Sequence, residues 1–424
     1  MRTRVYRVVA VVLIMLLSTS SGVMALDVSG QSRTYLQSRE TVDSQNLLPL
    51  YEYLDFSTGN SNGNNITFHF GGWYRYDLRD ESFGDKKQGG DLQYAYMSYR
   101  AKQNNTFLEL GRVNVNQGIA SEKVDGASMG TDLKLGLRVS AFGGSPVETA
   151  IDTRSGDTVY GGRISQGSDG LYRIGLSYVL EKNDKQEFRK EEGVDLWLRP
   201  IDKAELLGTM LYNAITSANA QSSLYFTLGP FKNLTLRTQY TDISYKDYFW
   251  ATTISAFQLT PGGPVDLNEK LTTIGEEALL SFGSTNVSAD YKKYDYELAG
   301  KADYFGAKVA YTGSQNNGSG LAYHRMNGET KDLQYSEYRL YTYGKIRKLN
   351  ITADALMVNY DLAVNGVKNA YTAALAGGYA LSPKATVGAD LEYAKNPYYD
   401  KDVRALLKLT YNFDIAPVAK KGRK

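Results

Sequence analysis

The sequence predicts an all-β protein, a closed antiparallel transmembrane β-barrel of about 22 strands (roughly 18–22) behind an N-terminal signal peptide. Three observations predict it. Apolar and polar side chains alternate with period two from near Val28 to Phe413, in segments of ~10 residues. Tyrosine, 34 of 424 residues, recurs near the ends of those segments. The residues before Leu26 have the three parts of an export leader.

The alternation is legible segment by segment. In Leu133–Ala141, one face carries Leu133, Leu135, Leu137, Val139 and Ala141, and the other carries Lys134, Gly136, Arg138 and Ser140. In Tyr172–Glu181, Tyr172, Ile174, Leu176, Tyr178 and Leu180 oppose Arg173, Gly175, Ser177, Val179 and Glu181. Leu234, Leu236 and Tyr240 oppose Thr235, Arg237, Gln239 and Thr241, and Leu391 and Tyr393 oppose Asp390 and Glu392. In the last segment Val403, Ala405, Leu407 and Leu409 oppose Arg404, Lys408 and Thr410. A strand sends successive side chains to opposite faces, so each segment has an oily and a wet side.

A soluble β-sandwich alternates too, but its core could not bury the full charges of these wet faces unpaired. Tyrosines at segment ends suit the headgroup level of a bilayer. Inside lipid every backbone group must be bonded internally, so strands there close on themselves.

Arg2–Arg7 forms the charged start of the leader, Val8–Leu17 its apolar core, and Val23-Met24-Ala25 a small-x-small site that predicts cleavage before Leu26. The apolar run is well short of the ~20 residues of a spanning helix. The expected organisation is a signal peptide over 1–25, a barrel over 26–413 and a basic periplasmic tail over 414–424. Asp402–Phe413 reads as a final strand with an aromatic end. It resembles the signal that outer-membrane proteins present to the barrel-assembly machinery, although here the chain continues past it. The expected location is the outer membrane of a Gram-negative bacterium with both termini periplasmic, among outer-membrane lipid and lipopolysaccharide. Oligomerisation is left open.

Link lengths set the strand count, because such barrels have short turns on the periplasmic side and longer loops outside. Short links are expected at Gly59–Asn64, Lys102–Asn105, Met129–Asp132, Gln166–Gly170 and Arg199–Lys203. Others are expected at Gly229–Asn233, Gly283–Asn286, Phe305–Ala307, Gly344–Leu349 and Leu381–Ala385. Longer links are expected at Gln37–Leu47, Arg79–Gly90, Asn114–Ser121, Gly144–Gly156 and Glu181–Glu191. Ile215–Ala220, Tyr245–Leu271, Asn316–Asp332, Asp361–Lys368 and Asn396–Lys401 complete that set. The two kinds alternate if Leu48–Phe56 and Glu122–Ser128 are weak strands and a tight outer hairpin lies near Asp295–Leu298. That makes about 22 strands, or about 20 without the weak pair. The longest loop, Lys246–Lys270, with Phe249-Trp250 and Thr260–Pro264, either folds inward to constrict the lumen, packs on a neighbouring subunit or a partner in the lumen, or stays at the surface.

Composition excludes several classes. Lys and Arg number 48 against 46 Asp and Glu, and the leader removes three of the former, so no nucleic-acid surface is implied. The absence of cysteine rules out disulfides, thiolate metal sites and covalent haem attachment within this chain, and no cofactor is expected. Two histidines, His69 and His324, leave little material for a catalytic triad or a metal site, so no enzyme is expected. His69 is expected in the strand Thr67–Trp73 and His324 in the outer loop Asn316–Asp332.

The better candidates are charges on the wet faces, as residues lining an aqueous lumen. Arg138, Arg163 and Arg173 fall on consecutive strands ~4.8 Å apart and are expected to form a basic ladder. Arg237 shares their parity. Asp390 and Glu392 face Arg404 and Lys408 across the last hairpin, as a charge-paired wall beside the closure.

At Leu108–Pro146, Gly111-Arg112, Gly118, Val124-Asp125-Gly126, Thr131-Asp132-Leu133 and Val139–Gly144 resemble a stretch of porin-like outer-membrane proteins of metal-respiring delta-class bacteria. That resemblance implies one of two roles. One is a channel for passive diffusion of small hydrophilic solutes or ions. The other is a porin-like sheath for a multihaem cytochrome in a trans-outer-membrane electron conduit.

Overall fold

The computed structural model describes residues 27–40, 45–59, 65–79, 86–101, 103–147, 157–250, 266–314 and 316–415. The leader expected over 1–25, residues 416–424 of the expected tail and the Thr260–Pro264 turn lie outside them.

Twenty-two strands form the wall. The first six are β1 (Asp27–Glu40), β2 (Pro49–Gly59), β3 (Ile66–Asp77), β4 (Gln88–Ala101), β5 (Thr106–Gln117) and β6 (Ala120–Asp132). Next come β7 (Leu137–Pro146), β8 (Thr158–Ser168), β9 (Tyr172–Asn183), β10 (Gln186–Ile201), β11 (Ala204–Asn213) and β12 (Ala218–Phe231). They continue as β13 (Leu234–Ser244), β14 (Lys270–Phe282), β15 (Thr285–Tyr296), β16 (Gly300–Thr312) and β17 (Gly318–Gly328). The last are β18 (Tyr335–Ile346), β19 (Leu349–Val364), β20 (Val367–Ser382), β21 (Ala385–Asn396) and β22 (Tyr399–Ile415). A two-residue bridge, Asn46–Leu47, folds back on Arg39 and Glu40.

Each strand pairs antiparallel with its sequence neighbours. The register Val28↔Ile415 to Ser38↔Ala405 joins β1 to β22 and closes the barrel. Closure removes the sheet edges that lipid could not satisfy. The strand number agrees with the expectation, and both weak strands are present as β2 and β6.

Register assigns the faces. Leu321, Leu375 and Leu407 point outward and are 60, 54 and 57% exposed, part of a broad outer band of exposed large apolar side chains of the kind that suits lipid. The opposite parity faces the lumen and carries the polar residues. Because the strand number is even, β1 starts and β22 ends at the same rim. Links there are short, as at 202–203, 232–233 and 283–284. The long links 78–87, 147–157 and 245–269 lie at the other rim. The start of the last one folds as a single helical turn, Tyr245–Tyr248.

Several expected links are corrected. Phe305–Ala307 is no turn: β16 runs through it, and the short link is 313–317. Gly306 is there for space, because a Cβ at that position would sit 2.1 Å from the His324 ring. Asn316–Asp332 is not one outer loop, since β17 occupies most of it and carries His324 on the wall. The links expected at Asn114–Ser121, Glu181–Glu191 and Asp361–Lys368 are tight hairpins whose strands run on towards the turn. The last turns at Asn365-Gly366, both with positive φ, the geometry an Asn-Gly pair adopts readily. The Met129–Asp132 turn lies further on, at 133–136.

Candidate functional site

A barrel of this strand number is too wide for wall side chains to fill, so whatever narrows it must come from elsewhere in the chain. Among the described residues it comes from the β5–β6 hairpin. Pairing between β4 and β5 stops at Ala95↔Arg112, although β4 continues to Gln88 against β3. Beyond Arg112 β5 parts from β4, while β6 stays paired with β7 as far as Val124↔Pro146, and the tip of the hairpin turns in over the inner faces of β8 and β9.

Its packing shows where it lands. Val113, Val115, Ala120 and Val124 meet Phe142 on β7, Val159 on β8 and Val179 on β9, all between 0 and 6% exposed. This is a small apolar core inside an otherwise wet lumen. The two-residue turn Gly118-Ile119, with Gly118 at φ +63°, reaches β9, where the Ile119 amide donates to Ser177 Oγ at 3.2 Å. A Cβ on Gly193 of β10 would lie 2.1 Å from Ile119 Cγ2, so this glycine makes the landing place. Arg189 of β10 clasps the hairpin electrostatically. It donates to Glu122 Oε1 at 2.6 Å and pairs with Glu191 of its own strand at 2.7 Å. All three side chains are at least four-fifths covered.

A cavity of about 1100 Å³ adjoins the hairpin and is lined by Glu109, Arg138, Arg163, Arg173, Asp195 and Trp197 among others. The three arginines of the expected ladder therefore share one cavity on β7, β8 and β9. They do not form a bare cationic row. Arg163 makes two bonds to Asp195, at 2.9 and 2.5 Å, and Arg138 pairs with Asp132 at 3.0 Å. Arg173 lies across from Gly167 and Trp197, four residues along β8 from Arg163's place in the register.

The other candidates also have inward parity. Arg237 donates to Glu277 at 3.0 Å. Lys408 donates to Asp390 at 2.6 Å. Arg404 sits opposite Glu392 in the register and pairs at 2.6 Å with the buried Asp402. The lumen beside the closure is thus a wall of mixed, paired charge.

Sequence reasoning missed the hairpin; most of the loop it considered, Lys246–Lys270, lies outside the described residues. A signal was present. Val113, Val115 and Val124 occupy the wet parity of their strands, where a water-lined wall has no use for them. Both histidines are placed by stacking, His69 on Tyr96 at 4.7 Å and His324 on Tyr304 at 5.0 Å, with His324 Nε2 3.1 Å from Asp290. Among the described residues no group of three or more His, Asp or Glu is arranged to hold a metal ion.

No protein-family model and no curated protein matches the chain. Solved structures do. The chain is similar to an E. coli P pilus tip assembly intermediate, PapC-PapD-PapK-PapG, with a TM-score of 0.54 and 10% identity over 95% of this chain and 63% of that one. The P pilus usher PapC translocation pore gives 0.47 at 10% identity, covering 93% and 100% of the two chains. OccK8 (OprE) of Pseudomonas aeruginosa gives 0.44 at 11% identity, covering 92% and 98%. At these identities the likeness is one of fold, a large closed antiparallel barrel.

Proposed function

We propose that the protein is an outer-membrane channel through which small hydrophilic solutes or ions diffuse, with both termini periplasmic and the β5–β6 hairpin setting the narrowest passage. The observation that carries this reading is the hairpin itself. A purely structural barrel has no need to fold a strand pair inward, bury seven apolar side chains to hold it and leave a polar cavity beside it. The paired charges of the lumen fit passage of neutral and charged solutes alike, since they wet the interior without a large net field. In this reading the wall performs no catalysis and needs no cofactor.

The hairpin also bears on the second role considered, a sheath around a multihaem cytochrome. A sheath needs its lumen free for the partner, and an anchored hairpin takes up part of that space.

Planar-bilayer recording of the purified chain tests the proposal. Steady conductance proportional to salt is expected. A variant in which Val115–Glu122 is replaced by a short glycine turn should conduct more per channel, because the obstruction is gone. A silent wild-type protein, or one that brings haem with it on purification, would overturn the channel reading.

A further inference from the structure

Among the described residues the inner wall of β1–β4 carries one of two aromatic groups in the lumen; the other, Tyr294, Tyr296, Tyr304, Tyr335 and Tyr360, lies on β15–β19. Tyr35 on β1, Tyr51 and Tyr53 on β2 and Trp73 on β3 form one connected group, with ring centroids 5.5, 6.1 and 6.2 Å apart along Tyr35–Tyr53–Tyr51–Trp73. On β4, Tyr94 and Tyr96 form a second pair, with ring centroids 6.1 Å apart. All six share the lumen-facing parity: Tyr35 opposes Tyr51, Tyr53 opposes Trp73, and Gly71 between them opposes both Asp55 and Tyr94. All six are half-buried, so part of every ring is open to the channel. The strip ends at Tyr96, which lines the cavity beside the hairpin.

Polar groups are set among the rings. Arg33 pairs with Asp55, and its guanidinium lies 5.4 Å from the centroid of Tyr53. Tyr94 donates its hydroxyl to Asp55 at 3.1 Å. Arg33 Nε is buried without a hydrogen-bond partner among the described residues.

Resting on the channel reading, we propose that this strip is a binding track for linear neutral oligosaccharides, taken up ring on ring and led towards the hairpin. The chemistry selects that class. A simple anion gains nothing from ring faces, and a simple cation is served by one face at a time, as Arg33 is on Tyr53, without needing a run of them. An apolar solute would gain from the rings but would strip water from the Arg33–Asp55 pair without replacing its hydrogen bonds. A hexose presents both an apolar C–H face and a belt of hydroxyls that donate to a carboxylate and accept from a guanidinium. Centroid steps of 5.5 to 6.2 Å are of the size of one sugar ring, so consecutive residues of a chain can lie on consecutive side chains. Tyrosine and tryptophan combine a flat apolar body with a polar handle, which serves such a ligand at low cost in side-chain entropy.

The test uses the full exported chain in a planar bilayer with maltohexaose as probe. Concentration-dependent interruptions of the ion current are expected. Tyr53→Ala with Trp73→Ala should raise the half-blocking concentration roughly fivefold or more, the scale of a lost aromatic contact. Trp73→Phe, which keeps a ring, should stay near the wild type and guards against a folding artefact. A conducting channel that maltohexaose leaves untouched, or one that benzoate blocks instead, overturns the sugar track while the channel reading stands. Should the chain not conduct, the channel reading fails. Calorimetry in detergent then decides the track separately: saturable heat with maltohexaose, lost in the double variant, supports it, and no heat refutes it.

Discussion

Replacing Arg189 by methionine asks how firmly the hairpin is held inside the barrel. Arg189 bridges Glu122 on the hairpin and Glu191 on the wall, with side-chain exposures of 20, 12 and 9%. Removing the cation leaves two covered carboxylates facing each other. Breaking a buried pair in this way costs about 3–5 kcal/mol, chiefly because the surviving charges keep their desolvation penalty. The apolar anchor is of similar size, since burying three valines contributes roughly 5 kcal/mol at about 1.5 kcal/mol each. The loss should therefore bring the hairpin close to release without unfolding the wall, which does not depend on it. Single-channel recording should show Arg189→Met flickering between two conductance levels where the wild type holds one. Adding Glu122→Gln and Glu191→Gln should quiet the current again, because charges removed together leave no uncompensated group. A single variant as steady as the wild type, or a triple variant as noisy as the single, would refute the electrostatic clasp.

Two further outcomes follow from the faces of the wall. Replacing Arg138, Arg163 and Arg173 together by alanine leaves Asp132 and Asp195 without their cations beside the hairpin, so reversal potentials in a salt gradient should move towards cation preference; an unchanged potential would remove these arginines from the conduction path. Leu375→Arg on the lipid face of β20 should destabilise the folded barrel by about 2–4 kcal/mol in refolding titrations if the residue lies at the bilayer midplane. Ala374→Arg, one residue away and facing the lumen, should cost far less, and equal costs would reverse the assignment of faces.

The architecture was legible in the sequence because alternation is local: Leu375 against Ala374, or Leu407 against Lys408, declares a face without knowledge of any other strand. Strand number followed from turn chemistry for the same reason. Errors arose where a residue serves a distant neighbour. Gly306 looks like a turn until His324 is seen to lie over it. The ion partners of the arginines were out of reach, since Arg163 and Asp195 are 32 residues apart and meet across an intervening strand. Pairing them requires two registers, and a one-residue slip in either would turn the side chain to lipid. The hairpin was hidden more deeply. Its valines obey strand periodicity and break only the rule that lumen-facing positions are polar, and that rule becomes informative once the parity of the whole segment is known.

A strand that parts from its neighbour in a membrane wall must leave a seam, and the seam explains why Arg112 is placed where it is. Above Ala95 the edge of β4 has lost β5, and open backbone groups at that edge would be costly against lipid. Arg112 stands at the point of departure. It donates to the Leu92 carbonyl on the abandoned edge at 2.8 Å, lies 3.5 Å from Asp91, and grips Asp125 of β6 with two bonds of 2.7 and 2.8 Å. One guanidinium thus ties β4, β5 and β6 together at the fork, a task that suits its rigid set of donors better than a lysine's single ammonium. The same fork defines the competition that holds the hairpin inside the barrel. Swung outward, the hairpin would regain ladder hydrogen bonds to β4; folded inward, it gains the apolar core and the Arg189 clasp. The two arrangements use the same residues on different partners, so weakening the inner one transfers the hairpin to the wall instead of setting it loose.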